Sequence, residues 1–122
     1  MFARVVSMQV KPNKSSDFHQ LFEKKLLPVL RKQKGFKDEM LFEVGGGPEA
    51  VAISIWESRE HAENYARDAY PAVLKDLEGM IEKAPLVKTY VLAYSTFHKW
   101  SGPAMFPAQS PNTTPSAGVG GG

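Results

Sequence analysis

Four short segments with apolar residues at every second position, two longer ones with a 3.6-residue apolar stripe, and a glycine-rich turn between the second and third strands predict the fold class. The order is βαββαβ, an α+β fold of the ferredoxin-like type in which a four-stranded antiparallel sheet carries two helices on one face. The chain has 122 residues, 43% of them hydrophobic, enough for one core and not for two.

The first strand runs from Phe2 to Val10, with Phe2, Val6, Met8 and Val10 on one side and Arg4 interrupting that set. Lys11-Pro12-Asn13 ends it, and Ser15, Ser16 and Asp17 are N-cap candidates for a helix with its stripe at Phe18, Leu21, Phe22, Leu26, Val29 and Leu30. Pro28 inside that helix removes a backbone hydrogen bond and predicts a kink or a broken last turn. Gly35 suits the left-handed residue that follows a helix. In the second strand Phe36, Met40, Phe42 and Val44 form the apolar face against Lys37, Glu39, Leu41 and Glu43. Gly45-Gly46-Gly47-Pro48 turns the chain into a third strand, Val51 to Trp56. Ser58 caps a second helix bearing Ala62, Tyr65, Ala66 and Ala69. Tyr70-Pro71 should divide it, because a residue before proline avoids the helical region, leaving Val73, Leu74 and Leu77 on a second piece. Leu86 to Tyr94, rich in Val, Thr and Tyr, is the fourth strand.

Strands three and four are apolar on both faces, yet one chain supplies helices for one face alone. A second copy packed sheet to sheet completes the burial, so a twofold homodimer is expected. From Phe97 onward Ser, Gly, Pro, Asn and Thr dominate, which divides the chain into a domain, 1–96, and a Pro/Gly/Ser-rich C-terminal tail, 97–122.

Composition narrows the function. A formal net charge of +2 gives no electrostatic reason to expect nucleic acid or a membrane surface as partner. With no cysteine there is no disulfide, thiolate catalysis or thiolate zinc site. No secretory signal and no membrane-span pattern is visible, so a cytoplasmic location is expected. A small hydrophobic molecule is the expected ligand.

Three stretches carry a resemblance: Leu27-Pro28-Val29-Leu30-Arg31 leading into Gly35-Phe36, Ile55-Trp56-Glu57-Ser58, and Tyr65 together with Tyr70 to Leu74. Over roughly the first 95 residues the chain resembles the antibiotic biosynthesis monooxygenase-like dimeric α+β barrels. That resemblance implies a cofactor-independent monooxygenase acting on a quinol or polycyclic phenol, or a related isomerase. A non-catalytic dimeric ligand-binding or stress-related barrel is the alternative. The family's haem-degrading branch is marked by an Asn in the first strand and a Trp and His in the second helix. Here the first strand has Ser7 and Gln9, and Tyr65 to Leu77 contains neither Trp nor His.

Trp56, opposite Val51, Ile53 and Ile55, can wall an aromatic substrate or donate its N–H; core or interface packing is the competing reading. Tyr65, Tyr70, Tyr90 and Tyr94 can line a pocket between helices and sheet and offer hydroxyls to a phenol or quinone oxygen, again with packing as the competitor. His19 and His61, at the edges of their helices' apolar faces, are candidate general bases, since unperturbed histidine titrates near neutral pH; a solvent-exposed border position competes. His61 and Tyr70 are thus the catalytic candidates, with Trp56, Tyr65, Tyr90, Tyr94 and His19 as substrate contacts. The histidine and carboxylate spacings build no metal site, and no cofactor is implied.

Overall fold

Residues 1–45 and 47–96 are described by a computed structural model; the 97–122 tail lies outside the described residues. Strands β1 (Phe2–Gln9), β2 (Phe36–Glu43), β3 (Glu49–Trp56) and β4 (Leu86–Val91) form one antiparallel sheet in the order β2-β3-β1-β4. This is the ferredoxin-like arrangement that the sequence predicts. Strand β4 stops at Val91, short of the expected Tyr94, because β1, its sheet neighbour among the described residues, runs out. Phe2 pairs with Val91, and Leu92 N–H donates to the Met1 carbonyl at 3.0 Å. Met1–Leu92 form one compact unit, and residues 93–96 carry no helix or strand.

The first helical stretch has three parts: α1 (Ser15–Leu21), a π-helical turn (Phe22–Leu26) and α2 (Leu27–Arg31). Pro28 lies in the first turn of α2, and the widened π turn just before it takes the place of the expected break. The serines and Asp17 do not cap α1. Lys14 is the N-cap residue and makes no side-chain cap hydrogen bond, following Asn13 with φ of 68°. Ser58 does cap α3 (Arg59–Asp68), its Oγ accepting from His61 N–H at 3.3 Å. At Ala69, with φ −120° and ψ −34°, the second helical stretch breaks, and α4 (Tyr70–Leu77) begins with Pro71 in its first turn. Among the described residues no helix is long and apolar enough to cross a membrane.

Burial alternates along the two central strands. Phe2, Arg4, Val6 and Met8 of β1 and Ala50, Ala52, Ser54 and Trp56 of β3 are buried, and the residues between them are half-buried or exposed. The buried set faces the helices and packs with Phe18, Leu26, Leu30, Ala62, Tyr65, Val73 and Leu77. Strand β2 breaks the expected alternation. Its pairing with β3 shifts between Phe36 and Asp38, so Lys37 is the extra residue of a β-bulge. Phe36 lies opposite Trp56, but beyond the bulge Glu39 and Leu41 lie opposite Ser54 and Ala52, on the helix side. Met40 and Phe42 lie opposite Ile53 and Val51, on the open side. The expected single apolar face of Phe36, Met40 and Phe42 is therefore split between the two sides of the sheet, and a glutamate is turned toward the core.

Candidate active site between helices and sheet

The bulge completes a polar row. Register places Glu39 of β2, Ser54 of β3, Arg4 of β1 and Thr89 of β4 side by side across the helix-facing side of the sheet. The rows on either side are apolar: Phe36, Trp56, Phe2 and Val91 above, and Leu41, Ala52, Val6 and Val87 below. Arg4 and Glu39 are two strands apart, roughly 10 Å between backbones, with Ser54 between them. Helices α3 and α4 close this row with two phenols, Tyr65 and Tyr70, whose ring centroids are 6.0 Å apart.

Arg4 is only 6% exposed. Its guanidinium carbon lies 4.1 Å from the centroid of the Tyr70 ring and 5.6 Å from that of Tyr65, a cation over two aromatic faces. A small cavity of about 30 Å³, room for about one water, is bounded by Arg4, Glu39, Ser54, Tyr65, Tyr70 and apolar side chains including Leu26, Leu30 and Val73. Two polar atoms of its lining, Glu39 Oε1 and the Tyr70 hydroxyl, are buried, and among the described residues neither makes a hydrogen bond of good geometry, although the Arg4 guanidinium approaches the Tyr70 hydroxyl. Such orphaned groups are rare in a folded interior and mark a place where a polar ligand or water belongs.

The electrostatics follow from burial. Removal from water pushes the Glu39 carboxyl up to about 8; neighbouring Asp38 adds to the rise and the Arg4 cation opposes it. Burial likewise raises the Tyr70 hydroxyl above its ordinary value, against the pull of Arg4, and Tyr65 is raised for the same leading reason. Near neutral pH both phenols are therefore hydrogen-bond donors. Glu39 is then mostly uncharged, so Arg4 leaves the site with an excess of positive charge suited to an anionic oxygen.

Two surface clefts flank the cavity. One, of about 390 Å³, lies between α2 and β2 and is lined by Leu27, Arg31, Phe36, Lys37, Asp38 and Glu39. The other, of about 150 Å³, lies beside α3 and includes Phe2, Arg4, Arg59, Ala62 and Thr89. Glu39 thus borders both the cavity and the larger cleft, and Arg4 both the cavity and the smaller one.

Of the residues singled out in the sequence, Tyr65 and Tyr70 are brought together at the cavity. Trp56 is fully buried, stacked on Tyr65 at 5.1 Å and edge-on to Phe36 at 5.6 Å, with its N–H donated to Ser54 Oγ at 2.8 Å. It supports the cavity from behind and has no exposed surface to offer a ligand. His61 stands at the start of α3, its Nδ1 2.9 Å from Ser58 Oγ and its ring against Gly35, away from the cavity. His19 is on the surface, 2.8 Å from Glu43. Tyr90 pairs with Ala3, which puts it on the open face, 51% exposed, and Tyr94 is 72% exposed. Arg4, Ser54 and Glu39 were not among the candidates. Arg4 leaves a visible signal, a charge in an otherwise apolar set, whereas Glu39 is hidden because strict alternation puts it on the wrong face.

A sequence profile described as antibiotic biosynthesis monooxygenase matches residues 1–79. No curated protein matches the sequence significantly. Among solved structures, a conserved protein from Methanosarcina mazei is 21% identical, with 73% of this chain and 89% of that one covered and a TM-score of 0.63. A monooxygenase from the gene ActVA-Orf6 of Streptomyces coelicolor, solved with the ligand nanaomycin D, is 18% identical over 80% of this chain and 92% of its own, with a TM-score of 0.67. SnoaB, a cofactor-independent oxygenase from Streptomyces nogalater, is 15% identical over 80% and 97%, with a TM-score of 0.66. At these identities the structures speak for the fold, and the profile, spanning well over half of the chain, settles the family: the chain belongs to the antibiotic biosynthesis monooxygenase family.

Proposed function

We propose that the protein is a cofactor-independent monooxygenase acting on a hydrophobic cyclic phenol or quinol. The observation that carries this reading is the buried polar row, where the Arg4 guanidinium and the buried Tyr70 hydroxyl line a small cavity whose remaining walls are largely apolar. A phenol becomes far easier to oxidise once it is a phenolate, and Arg4 with the Tyr70 hydroxyl is suited to stabilise that anion in a site of low dielectric. For an anthrone-like ring the chemistry balances without a reductant: a ring CH₂ and O₂ give a ring C=O and water. Two Streptomyces proteins of the same fold, one described as a monooxygenase and one as a cofactor-independent oxygenase, support the reading.

The cavity itself holds about one water, so the ring is assigned to the α2–β2 cleft with its hydroxyl directed inward. The helix break at Ala69 separates α4 from α3, which lets Tyr70 adjust without unfolding α3. The working unit is a homodimer joined through the open sheet face, where Met40, Val51, Ile53 and Ile55 are only half-buried and Phe42 is 55% exposed in one chain.

Oxygen uptake with a panel of quinols and anthrone-like phenols tests the reaction, with ligand-induced stabilisation reporting binding. Uptake is expected with at least one such substrate, and Tyr70→Phe should reduce it about tenfold or more. A panel that gives neither uptake nor stabilisation would remove the assignment.

A further inference from the structure

We infer that Glu39 is the proton acceptor of this site, taking the hydroxyl proton of a phenol seated in the α2–β2 cleft. This deepens the oxygenase reading and rests on it for the substrate class. The geometry points to Glu39 in four ways. Its Oε1 is buried without a hydrogen-bond partner. It lines both the cleft that admits a ring and the cavity beneath Tyr70. The bulge at Lys37 turns it inward, and its backbone N–H is held by Asp38 Oδ1 at 2.8 Å. Finally, Arg4 lies across Ser54 from it and lines the same cavity, so the cation is available to a phenolate oxygen that reaches into it.

The step conserves charge and atoms. The phenol O–H bond breaks, an O–H bond forms on Oε1, and the negative charge passes from the carboxylate to the phenolate. Dioxygen then oxidises the phenolate: on an anthrone-like ring one oxygen atom becomes the new ring C=O, and the other leaves as water with the remaining ring hydrogen and the proton held on Glu39. The groups facing Glu39 come from every neighbouring element: Arg4 on β1, uncharged Ser54 on β3, Arg31 on α2, Tyr65 on α3, Tyr70 on α4, and Lys37 and Asp38 on its own strand. Burial and Asp38 make the carboxylate more basic than an ordinary glutamate, and the ionised form that accepts the proton gains population as the pH rises through about 8.

The test reads proton linkage separately from turnover. With para-nitrophenol as the probe at about pH 9, where the free phenol and Glu39 are both ionised, wild-type protein should take up about one proton per probe bound. Calorimetry in buffers of different ionisation enthalpy measures this, and Glu39→Gln should take up none. In the wild type alone, affinity should fall about tenfold per pH unit above pH 9, a readout that does not depend on the folding of the variant. Equal proton uptake in both proteins, a flat affinity profile, or no binding of the probe to wild type would each overturn the assignment. In oxygen uptake, Glu39→Gln should lower kcat on the order of 100-fold with little change in KM. Wild-type activity surviving unchanged in the variant would also overturn it. A wild type that binds the probe with proton uptake but consumes no oxygen would refute the oxygenase reading and leave Glu39 as the acceptor.

Discussion

Replacing Glu39 by glutamine removes one titration from the interior and should make the protein more stable in alkaline solution. In the folded chain the carboxyl is pushed from the ordinary 4.5 up to about 8, first by burial and then by Asp38, with Arg4 opposing. Between those two values the unfolded chain has released a proton that the folded chain still holds, so each rise in pH favours unfolding. The stabilisation is complete below about pH 4.5, declines as the pH climbs through about 8, and is gone above it. At about 1.4 kcal/mol for each tenfold change in proton affinity the full effect approaches 5 kcal/mol, and water drawn into the site reduces it to roughly 2–4 kcal/mol. Glutamine has the same shape and no such titration. Urea unfolding of wild type and Glu39→Gln at fixed protein concentration, from pH 5 to pH 9, isolates the effect, because all other titrations are shared and cancel in the difference. The gap should widen with pH in favour of glutamine. Parallel profiles would show that Glu39 titrates as an ordinary surface carboxylate and would refute the burial argument.

Three further outcomes are expected. Gly35→Ala should lose roughly 2–4 kcal/mol in denaturant titrations, since Gly35 has φ of 83° and an added Cβ would lie 2.2 Å from the His61 ring. Ile53→Glu, in the middle of the open sheet face, should weaken self-association by about 100-fold or more in sedimentation, while Lys24→Glu on a helix surface leaves it unchanged. Deleting Lys37, the extra residue of the bulge, should cost only a few degrees in Tm because Phe36 and Glu39 still face the helices. Deleting Met40 displaces every later residue of β2 by one position and should abolish cooperative melting.

Much of this molecule is legible from local chemistry. Gly35 takes the left-handed conformation expected of it, though in the turn into β2 and not at the helix end, where Lys32 is the cap; Ser58 caps α3, and Tyr70-Pro71 divides the second helical stretch, each for a reason confined to a few neighbouring residues. What fails to read locally depends on contacts made elsewhere. Ser15 looks like a cap, yet Lys14 takes the position after the left-handed turn at Asn13. Trp56 looks like a substrate wall, yet the indole is wholly enclosed by Tyr65, Phe36 and Ser54. His61 has the chemistry of a base, and the close approach of Gly35 keeps it at the helix terminus.

The bulge explains the largest departure, and it links the site to the open face. Strict alternation assigns Phe36, Met40, Phe42 and Val44 to one side because that frame is the more apolar one. One extra residue reverses every later position, so the charged frame turns inward and the apolar frame outward. The neighbouring strand carries the clue. Toward the helices β3 presents Ala50, Ala52 and Ser54, small groups that let helices approach closely, whereas Val51, Ile53 and Ile55 lie on the other side. Large apolar residues on the side without helices make sense only if that side is covered by something else. Met40 and Phe42, delivered there by the bulge, extend the same surface across the strand boundary. The insertion that brings Glu39 to the cavity therefore also enlarges the surface assigned to the dimer; a regular strand with Phe36 still packed on Trp56 would set the shorter Asp38 opposite Ser54 and turn Met40 and Phe42 toward the helices.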